Sequence, residues 1–274
     1  MNLTIANQTF ERPVVMGILN CTPDSFSDGG QYLAQDRAVA HARQMLLDGA
    51  DIIDIGGEST RPGAAEVSID QELQRTIGAI NAIKQELGCL VSIDSRHSEV
   101  MRQACLAGAD LINDINALLE PGAVDVAIQA NVSVCLMHMQ GRPETMQNSP
   151  KYHDIVTEVV DYLEKRCNAV IANGMNPEHI ILDPGFGFGK TVEHNFAMLR
   201  HLENFHQLGY PLLVGVSRKS MFGQLLDRRV DERLAASLAG ACIAASKGAA
   251  ILRVHDVRET ADVLKVAYQC MDLN

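Results

Sequence analysis

Short apolar runs recur along this chain, separated by longer stretches in which apolar residues return at helical spacing. Eight runs have strand character: residues 14–19, 51–55, 90–93, 111–113, 132–137, 180–182, 212–216 and 250–254. They are rich in Val, Ile and Leu and too short to be core helices. The stretches between them, such as 36–47, 70–87, 152–172 and 231–247, are amphipathic and read as helices. Several end at a glycine (Gly49, Gly88, Gly108, Gly174, Gly248), the residue that most readily takes the left-handed turn closing a helix. Strand–helix alternation predicts βαβ units on a parallel sheet. Eight units in about 250 residues predict an α/β fold of the (β/α)₈ TIM-barrel type. A doubly wound sheet is the alternative arrangement. Residues 1–12 stand outside the alternation and are expected to form a short N-terminal hairpin at the barrel's bottom. No linker or repeat divides the chain, so 1–274 reads as a single domain.

Polar residues gather where each predicted strand stops. The first ends in Asn20-Cys21-Thr22-Pro23-Asp24-Ser25-Phe26, the third in Asp94-Ser95-Arg96-His97, the fourth in Asn113-Asp114, and the fifth in His138-Met139-Gln140-Gly141-Arg142. The sixth ends in Asp183 and a Gly-rich loop, the seventh in Ser217-Arg218-Lys219-Ser220, and the eighth in Arg253-Val254-His255-Asp256. In a barrel these ends share the face that carries catalysis. The second is the most telling. Asp54 interrupts the apolar run Ile52-Ile53-Asp54-Ile55, and burying a carboxylate there is costly unless something binds it. Gly56-Gly57-Glu58 then leads to Ser59, Thr60, Arg61, Pro62 and Gly63.

The loop Asp183-Pro184-Gly185-Phe186-Gly187-Phe188-Gly189-Lys190 resembles a phosphate loop only at first sight. Pro184 stands where the first glycine of that motif belongs, and Lys190 where a dinucleotide fingerprint needs its third. Nucleotide triphosphatase and Rossmann dehydrogenase chemistry are therefore excluded. The glycines suggest a mobile loop over the barrel mouth, and Phe186 and Phe188 are candidates for stacking on a planar ring.

Composition narrows the partners. The chain carries a net charge of −11, which argues against nucleic acid but not against an anionic small molecule held by a local cation cluster. The seven cysteines form no Cys-x-x-Cys pair and read as reduced thiols of a cytoplasmic protein. The N-terminus shows no signal peptide, and no run approaches the roughly 18 apolar residues of a membrane span.

The strand-end residues sort by polarity. Asp54, Asp94, Asn113 and Asp183 accept hydrogen bonds and suit the amidine-like edge of a planar heterocycle. Lys219 suits a ring carbonyl beside a ring nitrogen. Arg61, Arg253 and His255 suit an anion such as phosphate, and Asn20 with nearby acids suits a divalent metal on that phosphate. Two alternatives stand beside this sorting: Arg253 and Asp54 as a structural ion pair across the mouth, and His138 or His255 as a core histidine.

At these residues the chain resembles the dihydropteroate synthases, the pterin-binding family of folate biosynthesis. The resemblance rests on residues 16–30 and 49–62, on the Asp183–Lys190 loop, on Ser217-Arg218-Lys219-Ser220 and on Arg253-Val254-His255-Asp256, and spans roughly 13–270. One departure is Asp94-Ser95-Arg96-His97, where the family often has Asp-Thr, a variable residue, then Lys or Arg. The resemblance implies that 6-hydroxymethyl-7,8-dihydropterin pyrophosphate alkylates p-aminobenzoate, giving 7,8-dihydropteroate and pyrophosphate, with Mg²⁺ assisting the leaving group. It implies catalytic roles for Asp94, Lys219 and Arg253, and a pterin site of Asp54, Asp94, Asn113, Asp183, Lys219 and Arg253. Asn20, Arg61, Arg253 and His255 would bind pyrophosphate, with Asn20 at the metal. Phe26, Thr60, Arg61, Pro62, Phe188, Lys219 and Ser220 would frame p-aminobenzoate, and the loops 20–32 and 56–65 would close over the substrates. It also implies a homodimer and a target for sulfonamides. Two rivals share its features: a methyltetrahydrofolate-binding methyltransferase domain, which should lack the p-aminobenzoate and pyrophosphate residues, and a non-catalytic pterin-binding paralogue.

Overall fold

A computed structural model describes residues 3–21, 30–58, 67–141 and 145–270. Eight parallel strands lie in the order β8-β7-β6-β5-β4-β3-β10-β9. They are β3 (Val14–Asn20), β4 (Ile52–Gly56), β5 (Leu90–Asp94), β6 (Leu111–Asp114), β7 (Ser133–Met137), β8 (Ile180–Asp183), β9 (Leu213–Val214) and β10 (Ile251–Val254). A parallel bridge between Leu182 and Leu212, with the Leu182 N–H on the Pro211 carbonyl at 2.9 Å, joins β8 towards β9 and nearly closes a TIM barrel. The predicted strand at 212–216 is thus the shortest of the eight. Pro211 has no N–H to offer, and Gly215 weakens the ladder beyond Val214.

Helices α1 (Gly30–Leu47), α2 (Ile69–Leu87), α3 (Ser98–Leu106), α4 (Ala123–Ala130), α5 (Ile155–Ala172), α6 (Val192–Arg200), α7 (Ser220–Leu226), α8 (Leu234–Ser246) and α9 (Val257–Cys270) fill the connections. Helix α2 shows why such segments hold. Ser68 and Gln71 form a capping box at its start, and Gly88 ends it at φ 60°, its N–H on the Lys84 carbonyl. Helix α1 starts well before the predicted Asp36.

The strands' period of two divides the interior into two cores. Outward residues such as Val15, Ile53, Ile55, Val91, Ile93, Val134, Leu136 and Leu182 pack beneath the helices. Inward residues Val14, Met16, Ile52, Leu90, Leu111, Cys135, Ile181, Leu213 and Ile251 fill the lower barrel. The predicted hairpin is present as β1 (Leu3–Ile5) and β2 (Gln8–Phe10), paired antiparallel. Its Leu3 and Ile5 are buried against that lower inward layer, so the hairpin plugs the bottom. On β4, β5, β6, β8 and β10 the next inward position up the barrel is polar (Asp54, Ser92, Asn113, Asp183, Arg253), and there the site begins.

Candidate active site

Register brings the polar strand ends together. Asn20 pairs with Gly56, Gly56 with Asp94, and Asp94 with Asn113, one row across β3 to β6. Asp54 lies one inward step lower, opposite Ser92. Asp183 stands across from Met137.

Arg253 ties this row together. Its Nε donates to Asp54 Oδ2 at 2.6 Å and its Nη2 to Asp94 Oδ2 at 2.5 Å. Asn113 Nδ2 also donates to Asp54 Oδ2, at 3.4 Å. Asp54 is fully buried, and its other oxygen has no hydrogen-bond partner among the described residues. Burial pushes the Asp94 carboxyl above its usual range, Arg253 pulls it back, and Asp54, Glu72 and Asp114 push it up again. Burial works against the charge on Arg253, but Asp54 and Asp94 more than restore it. The ion pair weighed from sequence is therefore formed, with 22 % of the Arg253 side chain still exposed.

The opposite wall is built from Asp183, Lys219 and Phe188. Asp183 Oδ1 accepts the Gly185 N–H at 2.7 Å. Burial raises its carboxyl, offset by that bond and by Lys219, Lys190 and Arg253. Lys219 Nζ sits 4.3 Å over the centre of the Phe188 ring, a cation–π contact. Burial lowers the Lys219 ammonium to about 8, Asp183 opposing and Arg253 adding to the shift. Lys219 follows Arg218, a non-glycine residue in the left-handed region at φ 56°. Its surroundings hold that turn: the guanidinium makes two bonds to Asp256, the N–H donates to Ser237 Oγ at 2.8 Å, and the carbonyl accepts Arg233 Nη1 at 3.1 Å. His255 is oriented by Ser217, whose Oγ lies 3.0 Å from Nδ1 and accepts the His255 N–H at 3.2 Å.

The Gly-rich loop differs from its sequence reading. It is packed. Phe186 is 1 % exposed and belongs to the outer core, so it is not available to stack on a ligand. Gly185, at φ 73°, lies so close to strand β7's end that a Cβ would stand 1.9 Å from the His138 carbonyl oxygen. Lys190 Nζ turns inward and donates to the carbonyls of Gly185 at 2.8 Å, Phe188 at 3.0 Å and His138 at 3.3 Å. It also lies 2.9 Å from His138 Nδ1. Burial, then Lys190, lowers His138 to about 3, so its ring is neutral and internal. The glycines allow close approach, not mobility.

Other polar strand ends are scaffold too. Asp114 is buried and accepts the N–H groups of Asn116 and Leu118, both at 2.7 Å. Arg96 binds Glu58 through two bonds of 3.1 and 3.3 Å. Asn20 and Ser220 are exposed, and Phe188, Lys219 and His255 half-buried. Phe26, Thr60, Arg61 and Pro62 lie outside the described residues, as does most of the loops 20–32 and 56–65. Sequence reasoning missed Glu72, on the buried face of α2 with Thr76, Ala79, Ile80 and Ile83. A carboxylate at apolar helical spacing was its signal.

The profile of the pterin binding enzymes matches residues 16–255. A Haemophilus influenzae dihydropteroate synthase is 53 % identical over 254 residues, covering 93 % of this chain and 92 % of its own length. Among solved structures, Yersinia pestis dihydropteroate synthase with a sulfonamide drug complex superposes with a TM-score of 0.93 at 48 % identity, covering 98 % of this chain and 99 % of that one. Xanthomonas albilineans dihydropteroate synthase with 4-aminobenzoic acid gives 0.90 at 44 % identity, covering 98 % and 97 %.

Proposed function

The chain belongs to the pterin binding enzymes, among the dihydropteroate synthases, and we propose that its barrel mouth joins 6-hydroxymethyl-7,8-dihydropterin pyrophosphate to the amine of p-aminobenzoate, releasing 7,8-dihydropteroate and pyrophosphate. One observation carries the residue-level reading: at the mouth, acceptors and cations are sorted onto neighbouring strand ends. Asp183 and Asn113 would take the N–H groups of the pyrimidine edge, and Lys219 the ring carbonyl and a ring nitrogen. Asp54 would act from beneath through Arg253 and Asn113. Arg253 and His255, with Asn20 and Arg61, would receive the diphosphate.

The reaction breaks the bond from the methylene carbon to the diphosphate oxygen and forms one to the arylamine nitrogen. Arg253 lowers the barrier by meeting charge that grows on the leaving oxygen. The methylene left behind is cationic and delocalised into the dihydropterin ring. Asp94 answers that cation. Burial raises its carboxyl, so positive charge arriving beside it favours the charged form. The arylamine attacks as the neutral amine, and the anilinium it becomes gives its proton to water or the released pyrophosphate, so no strong general base is needed. Asn20 offers an exposed side-chain amide oxygen at the end of β3, a hard ligand suited to a magnesium ion otherwise held by diphosphate oxygens and water. When bound there, Mg²⁺ would neutralise charge on the leaving group. Lys219 and Phe188, with Ser220 at the start of α7 and with Phe26, Thr60, Arg61 and Pro62, would frame p-aminobenzoate.

The reading includes a homodimer in the cytoplasm. Leu225, Leu226, Val230, Leu234 and Ile243 are all exposed on α7, α8 and the segment between them, apolar surface part of which a second copy would cover. Among the described residues no helix is long and apolar enough to cross a membrane. The test is product formation: the chain with dihydropterin pyrophosphate, p-aminobenzoate and Mg²⁺ should give 7,8-dihydropteroate and pyrophosphate in equal amounts. Substrate turnover without 7,8-dihydropteroate would refute the proposal.

A further inference from the structure

Beside Asp94 lies a carboxylic acid that the reaction as described does not use. Glu72 stands in the first turn of α2, and its side chain turns into the protein, 1 % exposed. It takes no part in the capping box, which Ser68 and Gln71 complete by themselves. Neither carboxyl oxygen has a hydrogen-bond partner among the described residues. An acid in such a place, with little besides the Ser95 hydroxyl to meet it, is costly.

The surroundings indicate what it meets. Glu72 lines a water-sized pocket with Glu58, Asp94, Ser95, Arg96 and Ile115. Gly57, just past β4, packs on its stem: a Cβ there would lie 2.9 Å from Glu72 Cγ and 2.9 Å from Thr76 Cγ2. Glu72 is faced by Ser95, His97, Glu58 and Arg96. Asp94, on the far wall, is faced by Arg253, Asp54, Glu72 and Asp114. Burial raises the Glu72 carboxyl, the Ser95 hydroxyl opposing. A carboxyl accepts from a water when charged and also donates to it when protonated.

We propose that this pocket takes one water, hydrogen-bonded between the carboxyls of Glu72 and Asp94, and that Glu72 is through it a positioning residue for Asp94. The inference rests on the reading of Asp94 as the acid beside the dihydropterin ring. A single water fits because the pocket is water-sized and the carboxyls of Glu72 and Asp94 both line it. Arg253 holds one oxygen of Asp94, and the water would hold the carboxylate from the pocket's side.

Two variants of the full chain and one spectrum test this. Glu72→Gln keeps a neutral, hydrogen-bonding head; Glu72→Leu has similar volume and none. The Gln variant should retain most of kcat. The Leu variant should lose about ten-fold or more in kcat, with KM for p-aminobenzoate unchanged and the melting temperature not lowered. A pH series of infrared difference spectra should show a protonated-carboxyl stretch, removed by Glu72→Gln, that persists above the pH at which a free glutamate loses it. Wild-type kcat in the Leu variant, equal loss in both variants, or absence of that stretch would overturn the proposal. Should the Leu variant fail to fold, the Gln variant's kcat and the infrared band decide. The spectrum needs no substrate. A wild-type chain that shows the band yet forms no 7,8-dihydropteroate would therefore count against the proposed reaction, and not against the placement of Glu72.

Discussion

Arg253 and Asp54, 199 residues apart in sequence, meet at 2.6 Å across the barrel mouth. The same guanidinium holds Asp94, so one side chain on β10 fixes the acids of β4 and β5. Arg253→Met would leave Asp54 fully buried without its counter-ion. Removing one member of a buried pair costs about 3–5 kcal/mol. The expected outcome is a urea midpoint lowered accordingly, together with loss of turnover. Undiminished stability would mean that water or another cation reaches Asp54.

Lys219 should show its role in pH dependence. With the ammonium lowered to about 8 by burial, its charge is complete below that pH and lost above it. Pterin affinity should therefore fall as pH rises through about 8, and the fall should vanish in Lys219→Ala, which binds pterin weakly throughout. Loss of a charged hydrogen bond in a dry site costs on the order of 2–4 kcal/mol. Stability runs the other way. Between about 8 and the ordinary 10.5 the unfolded chain binds more protons, so the wild type should gain stability with rising pH relative to Lys219→Ala. Pterin titrations and urea melts from pH 7 to 10 check both signs.

The barrel was legible because its rule is periodic. Ile53 and Ile55 face the helices and Ile52 the lower barrel, and alternation alone predicts that division. The hairpin was legible as the segment left over. The site was legible where a polar residue broke an apolar run, as at Asp54. Its pairing with Arg253 stood among the sequence alternatives, but the second bond from Arg253 to Asp94 did not, because nothing local marks one guanidinium as shared by two strands. The Gly185–Lys190 loop misled for a physical reason: glycines that permit close approach to His138 and Gln140 look, in sequence, like glycines that permit motion. Glu72 was hidden inside a helix whose other buried positions are mostly apolar.

The hairpin plug is structural and remote from the chemistry. Leu3→Ala or Ile5→Ala removes a buried side chain from the lower barrel and should cost about 2–5 kcal/mol. KM for both substrates should not change. Chemical denaturation with steady-state kinetics on the same preparations checks this. A raised KM at full stability would place the hairpin's influence at the mouth.

Sulfonamides should inhibit in competition with p-aminobenzoate, because both present an aniline and an acidic para group to the pocket framed by Phe188, Lys219 and Ser220. Raising p-aminobenzoate should relieve inhibition completely. Inhibition that p-aminobenzoate cannot relieve would contradict the assignment of that pocket.

The account's central claim is that strand-end acids hold the pterin while separate cations hold the diphosphate. Calorimetric titration of Asp183→Asn against the wild type tests it most directly, using 6-hydroxymethyl-7,8-dihydropterin and, separately, pyrophosphate with Mg²⁺. Asp183 should accept charge-assisted bonds from the pyrimidine edge, each worth about 1.5–3 kcal/mol. The variant should therefore bind the pterin at least ten-fold more weakly and pyrophosphate as the wild type does. Equal pterin affinity in the two proteins, or a loss confined to pyrophosphate, would contradict the claim.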